Sequence, residues 1–427
     1  MNYDVVVIGA GLSGLMAALA SAERGKKTVV VSRGMGIITI FTGAIDVLGY
    51  YPGDAKDPLE SPIKGIEEII GKGSNHPYAR VGIDFVRDGI TSFLNATKDG
   101  GVEYVGDPSH NFLVPTAVGT IKPTSLLSST MVAGDLREPG DVLIAGFSGL
   151  KDFYPAYMAH NISTVRIKGV RLPRFRGRVL DFDDGAGSSG LNSLTLAGKF
   201  EDPTFLDMTA DALYRTVRDG ERVALPAVLG LLRFKEVHNK IEELVGTRVF
   251  ETPTLPPSVG GYRLFRALEK KLRTLGVRIL LGYEVSSPRI EGKRIREVTI
   301  GMGKVEKKIE GKAFILATGG LVGRGIRSSR SSLMEPLFDL PVSFPKKRSD
   351  WFKKFFFDSS GHPINKAGIE VDDRLRPAEE GKKPIFKNLL VTGAELAGFD
   401  AIREKSGGGV AIASGHKAGV LSVDIIK

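Results

Sequence analysis

The chain has 427 residues, of which 42% are hydrophobic and 25% are charged, as in globular proteins, and its length predicts two domains. Its net charge is +10 at pH 7, but the basic residues are scattered and follow no DNA- or RNA-binding motif, so no nucleic-acid partner is expected. The chain contains no cysteine, which excludes disulfides, cysteine-ligated iron–sulfur clusters and thiol catalysis within it.

The N-terminus carries a pattern typical of a dinucleotide site. Val5–Ile8 predicts a short buried strand, and apolar residues at helical spacing follow it. The turn between them reads GAGLSG, which matches G-x-G-x-x-G. In this pattern Gly9 permits the tight turn, Gly11 lets the backbone approach a pyrophosphate, and Gly14 lets the helix pack close to the strand. A second strand, Thr28–Ser32, completes a βαβ unit, and the alternative interpretation is a glycine-rich turn without a ligand.

The second strand ends in Ser32 and Arg33, where many FAD folds place an acid that binds the adenosine ribose hydroxyls. A serine hydroxyl can still bond a ribose, and Arg33 can face a phosphate instead. An NADP-linked enzyme that uses Arg33 for the 2′-phosphate is therefore an alternative. The loop that follows contains Gly43, which indicates backbone close to a ligand.

The middle of the chain reads as a separate substrate or cap domain. Residues 60–100 favour helices, residues 101–200 favour strands and loops, and residues 205–245 favour helices again, without a second glycine-rich fingerprint. Further along, Lys346–Lys354 (KKRSDWFKK) mixes basic and aromatic residues. That mixture suits a membrane interface or a partner subunit, or else a loop that caps a core and has a solvated basic rim.

Three segments near the C-terminus favour close approach of a cofactor. The strand AFILATGG ends in small residues, and the strand Leu389–Thr392 leads into a glycine-rich loop. The last helix opens with three glycines at Gly407, and the unpaired N–H groups of a helix start favour an anion. The cofactor-binding residues predicted in these segments are Thr318, Gly319, Gly320, Gly393, Gly408, Gly409 and Val410.

Several site classes and locations are not expected from the sequence. No apolar run approaches the ~20 residues that span a bilayer, which predicts a cytoplasmic protein that lies at the inner face of the membrane only through a partner. No metal site is predicted, and the acids of residues 181–187 (DFDDGAG) do not match an EF-hand and read as a polar turn. The lack of cysteine and glutamine beside many lysines, arginines and glutamates is typical of a thermophile.

Four segments together resemble the FAD-binding oxidoreductases of the two-dinucleotide-fold type: GAGLSG, FTGAIDVL, ILATGG and NLLVTGAELAGFD with GGGVAI. The finer resemblance is to the B-subunit family of anaerobic glycerol-3-phosphate dehydrogenase, and it rests on FTGAIDVLGYYP, LVPTAVGTIKPTSL, TPTLPPSVGGYRL and GFDAIREKSGGGVAIASGHKAG. This resemblance implies an α/β protein. Its FAD-binding domain would be Rossmann-like, of the GR2 type, and an α+β cap or substrate domain would be inserted into it. We expect the flavin domain to comprise residues 1–79, 251–325 and 384–427, and the cap to comprise residues 80–250 and 326–383.

The resemblance implies oxidation of sn-glycerol 3-phosphate to dihydroxyacetone phosphate, with electrons passing through an iron–sulfur subunit to quinone. FAD is the cofactor that the fingerprint favours, and FMN is the alternative because the family is commonly described with it. The implied partners are a sister flavoprotein subunit, the iron–sulfur subunit and a small phosphorylated substrate. The alternatives are an electron-transfer or assembly subunit without substrate oxidation, an FAD-dependent oxidoreductase of another substrate, and a flavin-fold scaffold with a degraded site.

The resemblance also suggests individual site residues. The candidates for the substrate phosphate are Lys122 and Arg324, since a phosphorylated substrate needs cations. The candidates for catalysis are His362, as the general base, and Arg327. Glu395 follows the last strand, where an acid in related flavoproteins bonds the ribityl or ribose chain, so it is predicted to bind the cofactor.

Overall fold

The computed structural model describes residues 1–181, 191–379 and 383–426. Of the polar turn predicted at residues 181–187, all residues after 181 lie outside the described residues. Its strands are β1 (Asn2–Ile8), β2 (Thr28–Ser32), β3 (Tyr104–Val105), β4 (Phe112–Pro115), β5 (Ile121–Thr124), β6 (Leu127–Ser128), β7 (Asp141–Phe147), β8 (Phe175–Leu180), β9 (Glu221–Pro226), β10 (Val249–Thr252), β11 (Arg278–Leu281), β12 (Glu284–Glu291), β13 (Arg294–Met302), β14 (Val305–Leu316), β15 (Arg327–Ser328), β16 (Leu333–Met334) and β17 (Leu389–Val391). Its helices are α1 (Leu12–Ala22), α2 (Pro62–Gly71), α3 (Pro77–Val81), α4 (Ile83–Gly100), α5 (Pro155–Thr164), α6 (Ser193–Lys199), α7 (Pro203–Tyr214), α8 (Phe234–Val245), α9 (Val259–Thr274), α10 (Gly320–Gly323), α11 (Ala401–Glu404) and α12 (Gly407–Ile426).

The chain divides into two compact units. Unit 1 consists of residues 1–38, 46–101 and 265–427, and unit 2 consists of residues 39–45 and 102–264. Both units are therefore built from separated pieces of the sequence, as expected of a domain inserted into another.

Unit 1 is built on a mixed sheet in the order β11-β2-β1-β14-β13-β12, with β17 paired to β14. Strands β11, β2, β1, β14 and β17 run parallel, and β13 and β12 continue the sheet antiparallel to β14. The apolar runs of β1 and β2 are fully buried, as their β-branched composition predicts. Because parallel strands end at the same edge, the turns after β1, β2, β14 and β17 are gathered there.

Helix α12 packs against α1 through glycines. A Cβ on Gly415 would lie 2.3 Å from the Ser13 carbonyl oxygen, and one on Gly419 would lie 2.4 Å from that of Ala17. Among the described residues, α12 is the one helix long and apolar enough to cross a membrane by length and composition, contrary to the expectation that no segment would be. Since 61% of its apolar stretch is buried, the core of unit 1 explains its composition.

Unit 2 has a four-stranded sheet in the order β10-β9-β7-β8, with every adjacent pair parallel. Helix α5 connects β7 to β8, α6 and α7 precede β9, and α8 connects β9 to β10. Parallel neighbours require such crossover helices. The α+β cap expected from the sequence is therefore corrected to an α/β unit, with two small antiparallel pairs, β3-β6 and β4-β5, beside the parallel sheet.

The bounds of the two compact units differ from the expected domain bounds in four places. Residues 39–45 and 251–264, expected in the flavin domain, belong to unit 2. Residues 80–101 and 326–383, expected in the cap, belong to unit 1. Helix α4 packs so closely on α12 that a Cβ on Gly89 would lie 3.2 Å from Ala413 Cα. Ile369 donates its N–H to the Glu395 carbonyl oxygen at 2.7 Å, which fixes the second segment beside the end of β17.

Candidate functional site

The turn between β1 and α1 is shaped by two glycines that pack against backbone. Gly9 has φ +116°, and a Cβ on it would lie 2.1 Å from the Ala317 carbonyl oxygen. A Cβ on Gly14 would lie 2.0 Å from the Gly9 carbonyl oxygen. A side chain at either position would push the end of β14 or the start of α1 away, so both glycines are required by the fold itself.

Gly11 has a different environment, since a Cβ on it would have no described atom within 4 Å. It is the N-cap of α1, with φ −73°, and within the described residues no side chain caps this helix and no acid lies in its first turn. The first N–H groups of a helix lack intrahelical partners and attract anions. Open space over uncapped N–H groups fits a pyrophosphate, as the G-x-G-x-x-G pattern predicts.

Glu395 holds the turn after β14 through hydrogen bonds. This carboxylate is fully buried and accepts hydrogen bonds from the Thr318 hydroxyl and, at 2.9 Å, from the Gly320 N–H. A Cβ on Gly320 would lie 2.2 Å from the Ala394 carbonyl oxygen, which also holds this turn close to the end of β17. Gly319, with φ +92°, caps the short helix α10.

Burial raises the pKa of Glu395 to about 7, against the hydrogen bonds that lower it. Its second oxygen, Oε2, has no hydrogen-bond partner among the described residues. The protein itself therefore uses Oε1 to hold the turn after β14. A direct bond from Glu395 to the cofactor stays a prediction.

Gly393 joins the end of β17 to both α1 and α12. It has φ +72°, and a Cβ on it would lie 2.3 Å from Ser13 Oγ. Its N–H donates to Ser414 Oγ at 2.9 Å. The turns after β1, β14 and β17 thus meet at the start of α1.

The start of α12 makes close contacts within unit 1. The Gly409 N–H donates to the Asp46 carbonyl oxygen at 2.8 Å, and a Cβ on Gly409 would lie 2.2 Å from Tyr78 Oη. Gly408 and Val410 are buried. The N–H of Gly409 and its lack of a side chain thus serve packing within unit 1, and cofactor binding by Gly408, Gly409 and Val410 stays a prediction.

Beside the end of β2 lies a carboxylate, that of Glu284, which sequence reasoning missed. Ser32 Oγ donates to the Gly34 carbonyl oxygen at 2.7 Å. Arg33 Nη1 lies 3.5 Å from Glu284 Oε1, and Arg327 Nη2 lies 3.9 Å from the same oxygen. Glu284 begins β12 directly after β11, and β11 pairs with β2 so that Leu281 lies opposite Ser32. One sequence signal could have revealed Glu284. The predicted strand Val277–Leu281 is followed by the turn glycine Gly282, and Glu284 is an acid two residues after that glycine.

The other predicted residues of unit 1 are exposed or engaged locally. His362 accepts a hydrogen bond from the Lys353 N–H at Nδ1, at 3.0 Å, and its Nε2 donates to the Phe356 carbonyl oxygen at 2.9 Å. Arg324 is exposed and has φ +65°, a left-handed conformation uncommon outside glycine. Both residues stay predictions for catalysis and phosphate binding.

Lys122 and Gly43 lie in unit 2. Lys122 is buried, and its ammonium donates to Thr42 Oγ1 at 2.9 Å and lies 5.6 Å from the centre of the Phe41 ring. A Cβ on Gly43 would lie 2.8 Å from Gly260 Cα, so close packing inside unit 2 accounts for this glycine. The buried cation keeps Lys122 a candidate for binding an anionic substrate.

Comparison with known proteins bears on the cofactor and the family. A sequence model of the FAD binding domain family matches residues 4–410, which supports FAD as the cofactor. A probable B subunit of anaerobic glycerol-3-phosphate dehydrogenase from Halobacterium salinarum is 33% identical over 437 residues, covering 100% of this chain and 99% of the relative. The B subunit of anaerobic glycerol-3-phosphate dehydrogenase from Vibrio cholerae is 28% identical over 430 residues, covering 98% and 96%. The solved structure of E. coli quinol fumarate reductase FrdA is 9% identical, with a TM-score of 0.43. The match covers 100% of this chain and 70% of the FrdA chain.

Proposed function

The chain belongs to the FAD binding domain family and, within it, to the B-subunit family of anaerobic glycerol-3-phosphate dehydrogenase, and we propose that it oxidises sn-glycerol 3-phosphate to dihydroxyacetone phosphate. The full-length similarity to these relatives is the observation that supports this proposal most. The uncapped start of α1, with open space beside Gly11, is consistent with it. FAD, when bound, supplies the hydride acceptor for such a reaction.

The chain's own residues would hold that cofactor at the carboxyl edge of the unit 1 sheet. Gly11 and the first turn of α1 would bind the pyrophosphate. Ser32 and Glu284 lie where the adenosine ribose would be expected, after β2. Glu395 would keep the turn after β14 in place through Oε1, and its second oxygen, Oε2, would be available to bond the cofactor.

The substrate phosphate requires cations, for which Lys122 and Arg324 are the candidates, while Arg327 is a candidate for catalysis. Lys122 has the strongest support because a buried ammonium attracts an anion with little screening by water. A general base would take the proton of the hydroxyl that is oxidised, and His362 is the residue proposed for it. For this role His362 would have to release one of its two backbone hydrogen bonds.

Electrons would have to leave through other subunits. The chain contains no cysteine, so iron–sulfur clusters held by cysteine belong to a partner. The relatives are named as one subunit of an enzyme, which supports a multi-subunit complex. We propose a sister flavoprotein subunit and an iron–sulfur subunit as the partners, with quinone as the final acceptor.

A second function is favoured by the state of His362. Both of its ring nitrogens bond to backbone, so the proposed base is engaged in holding its own loop. If no other group replaces it, this subunit would transfer electrons from a sister flavoprotein that oxidises the substrate.

The test is to purify the chain with its flavin under anaerobic conditions and to add glycerol 3-phosphate. Loss of the flavin absorbance would support a complete dehydrogenase site in this chain, and Lys122→Met should then raise KM at least about tenfold. Lys346→Met, at an exposed lysine, is the matched control and should leave KM unchanged. Absorbance that is lost only after the sister subunit is added would favour electron transfer, and absorbance unchanged with both subunits would contradict both functions.

A further inference from the structure

The surface of unit 1 contains a segment in which large aromatic side chains face solvent. We call residues 346–357 the aromatic loop. Phe352 is 52% exposed, and Phe355, Phe356 and Phe357 are 66%, 82% and 87% exposed. Consecutive exposed phenylalanines are unfavourable in water, and such patches mark interaction sites.

The base of the aromatic loop is held firmly to the rest of unit 1. Trp351 is 1% exposed and packs with Ile326, Val342 and Ile364, and its indole N–H donates to the Pro345 carbonyl oxygen at 2.8 Å. His362 ties the two sides of the loop together, since it accepts from the Lys353 N–H and donates to the Phe356 carbonyl oxygen. These contacts hold the base of the loop in place, while Phe355, Phe356 and Phe357 face solvent instead of packing on the core.

The aromatic loop is also strongly basic. Residues 346–357 contain five basic residues and one acid, a net charge of +4. The five, all exposed, are Lys346, Lys347, Arg348, Lys353 and Lys354. The Lys354 ammonium lies 5.6 Å from the centre of the Phe355 ring, so cationic and aromatic groups share one surface.

We propose that the aromatic loop binds directly to an anionic lipid bilayer. Phenylalanine side chains enter the boundary between headgroups and acyl chains, while lysine and arginine stay at the level of the lipid phosphates. Basic groups near an anionic leaflet are attracted to its negative surface potential. Both requirements are met within this one loop, and the positive charge is complementary to such a membrane.

A protein partner fits the aromatic loop less well. Protein interfaces bury their aromatic anchors in a centre depleted of lysine, whereas here lysines directly precede the exposed phenylalanines. The proposal adds a direct contact to the expected attachment through a partner, and it does not depend on dehydrogenase activity.

The test is co-sedimentation of the purified full chain with vesicles of phosphatidylglycerol and, separately, of phosphatidylcholine. The chain should sediment with phosphatidylglycerol at low salt and remain in solution with phosphatidylcholine. Changing Phe355, Phe356 and Phe357 together to serine should lower the partition coefficient at least about tenfold. The double variant Lys353→Glu and Lys354→Glu should lower it by about tenfold and weaken its dependence on salt.

The matched control changes three exposed aromatic residues elsewhere, Tyr154, Tyr157 and Tyr214, to serine. This variant should partition as the wild type does, and flavin content checks that each variant is folded. The proposal is overturned if the wild type does not bind phosphatidylglycerol, or if the phenylalanine variant binds as strongly as the control. It is also overturned if the phenylalanine variant loses binding to the sister flavoprotein while its vesicle binding is unchanged, since the loop would then be a protein interface.

Discussion

Two glycines three positions apart lack a side chain for different physical reasons. Gly14 packs on the Gly9 carbonyl, whereas Gly11 faces open space. Gly11→Ala should therefore leave the free energy of unfolding of the flavin-free chain unchanged but sharply reduce the flavin retained. Gly14→Ala should lose at least about 2 kcal/mol of stability, because its Cβ meets backbone that cannot move aside.

Urea unfolding and the flavin content after gel filtration measure the two effects separately. If Gly11→Ala retains flavin as the wild type does, the pyrophosphate does not approach this residue. If it destabilises the flavin-free chain as much as Gly14→Ala, Gly11 serves packing of the fold and not the ligand.

The carboxyl of Glu395 predicts a pH dependence of stability. Its pKa is raised to about 7 in the folded chain, above its ordinary value of 4.5, so between these values the folded state binds more protons than the unfolded state. Stability should therefore fall as pH rises from about 4.5 to about 7, by about 3 kcal/mol in total, and level off above.

Glu395→Gln keeps an oxygen that can accept from Thr318 and Gly320 but cannot ionise. Thermal unfolding from pH 5 to pH 8 should show a flatter profile for this variant than for the wild type. Parallel profiles would mean that the pH dependence arises from another group.

At the scale of elements, the contact between α12 and α1 depends on backbone approach. Gly415→Ala should cost about 2 kcal/mol, because the new Cβ would lie 2.3 Å from the Ser13 carbonyl oxygen. Gly71→Ala, in α2 of the same unit, is the matched control because its Cβ would meet no described atom within 4 Å. Urea unfolding should separate the two, and equal stabilities would show that the helices can move apart at no cost.

In unit 2, a buried ion pair joins β10 to α9. Glu251 accepts from Arg263 Nη1 at 2.6 Å, from Thr130 Oγ1 at 2.7 Å and from the Leu229 N–H at 2.8 Å. Glu251→Gln should cost about 3 kcal/mol, since it leaves the Arg263 guanidinium buried without its counter-charge.

The control is Glu236→Gln, which breaks an exposed pair with Arg233 and should leave the melting temperature unchanged. Differential scanning calorimetry compares the two variants. A melting temperature for Glu251→Gln equal to that of the control would mean that the buried pair contributes no net stability.

The elements that sequence could predict are those set by local pattern. The strand, glycine turn and helix at the N-terminus form as predicted, because β-branched runs and helical spacing act over a few residues. Glu284 was missed because its position depends on β11 pairing beside β2, which lies about 250 residues earlier in the chain. The packing of Gly43 on Gly260 could not be predicted for the same reason, since the two residues lie far apart in the sequence.

At the scale of the whole molecule, the insertion of one unit into another was predictable but its limits were not. Residues 326–383 lack a strong helical or strand period, so only tertiary contacts such as Ile369 with Glu395 assign them to unit 1. The parallel sheet of unit 2 was also missed, because short buried strands give no sign of their direction.

The central claim is that this chain is a flavoprotein whose FAD lies on the turn between β1 and α1. The most direct measurement is to denature the purified chain and identify the released flavin and its amount by chromatography and mass spectrometry. One FAD is expected for each chain. Release of FMN, or no flavin even after reconstitution with FAD, would contradict it.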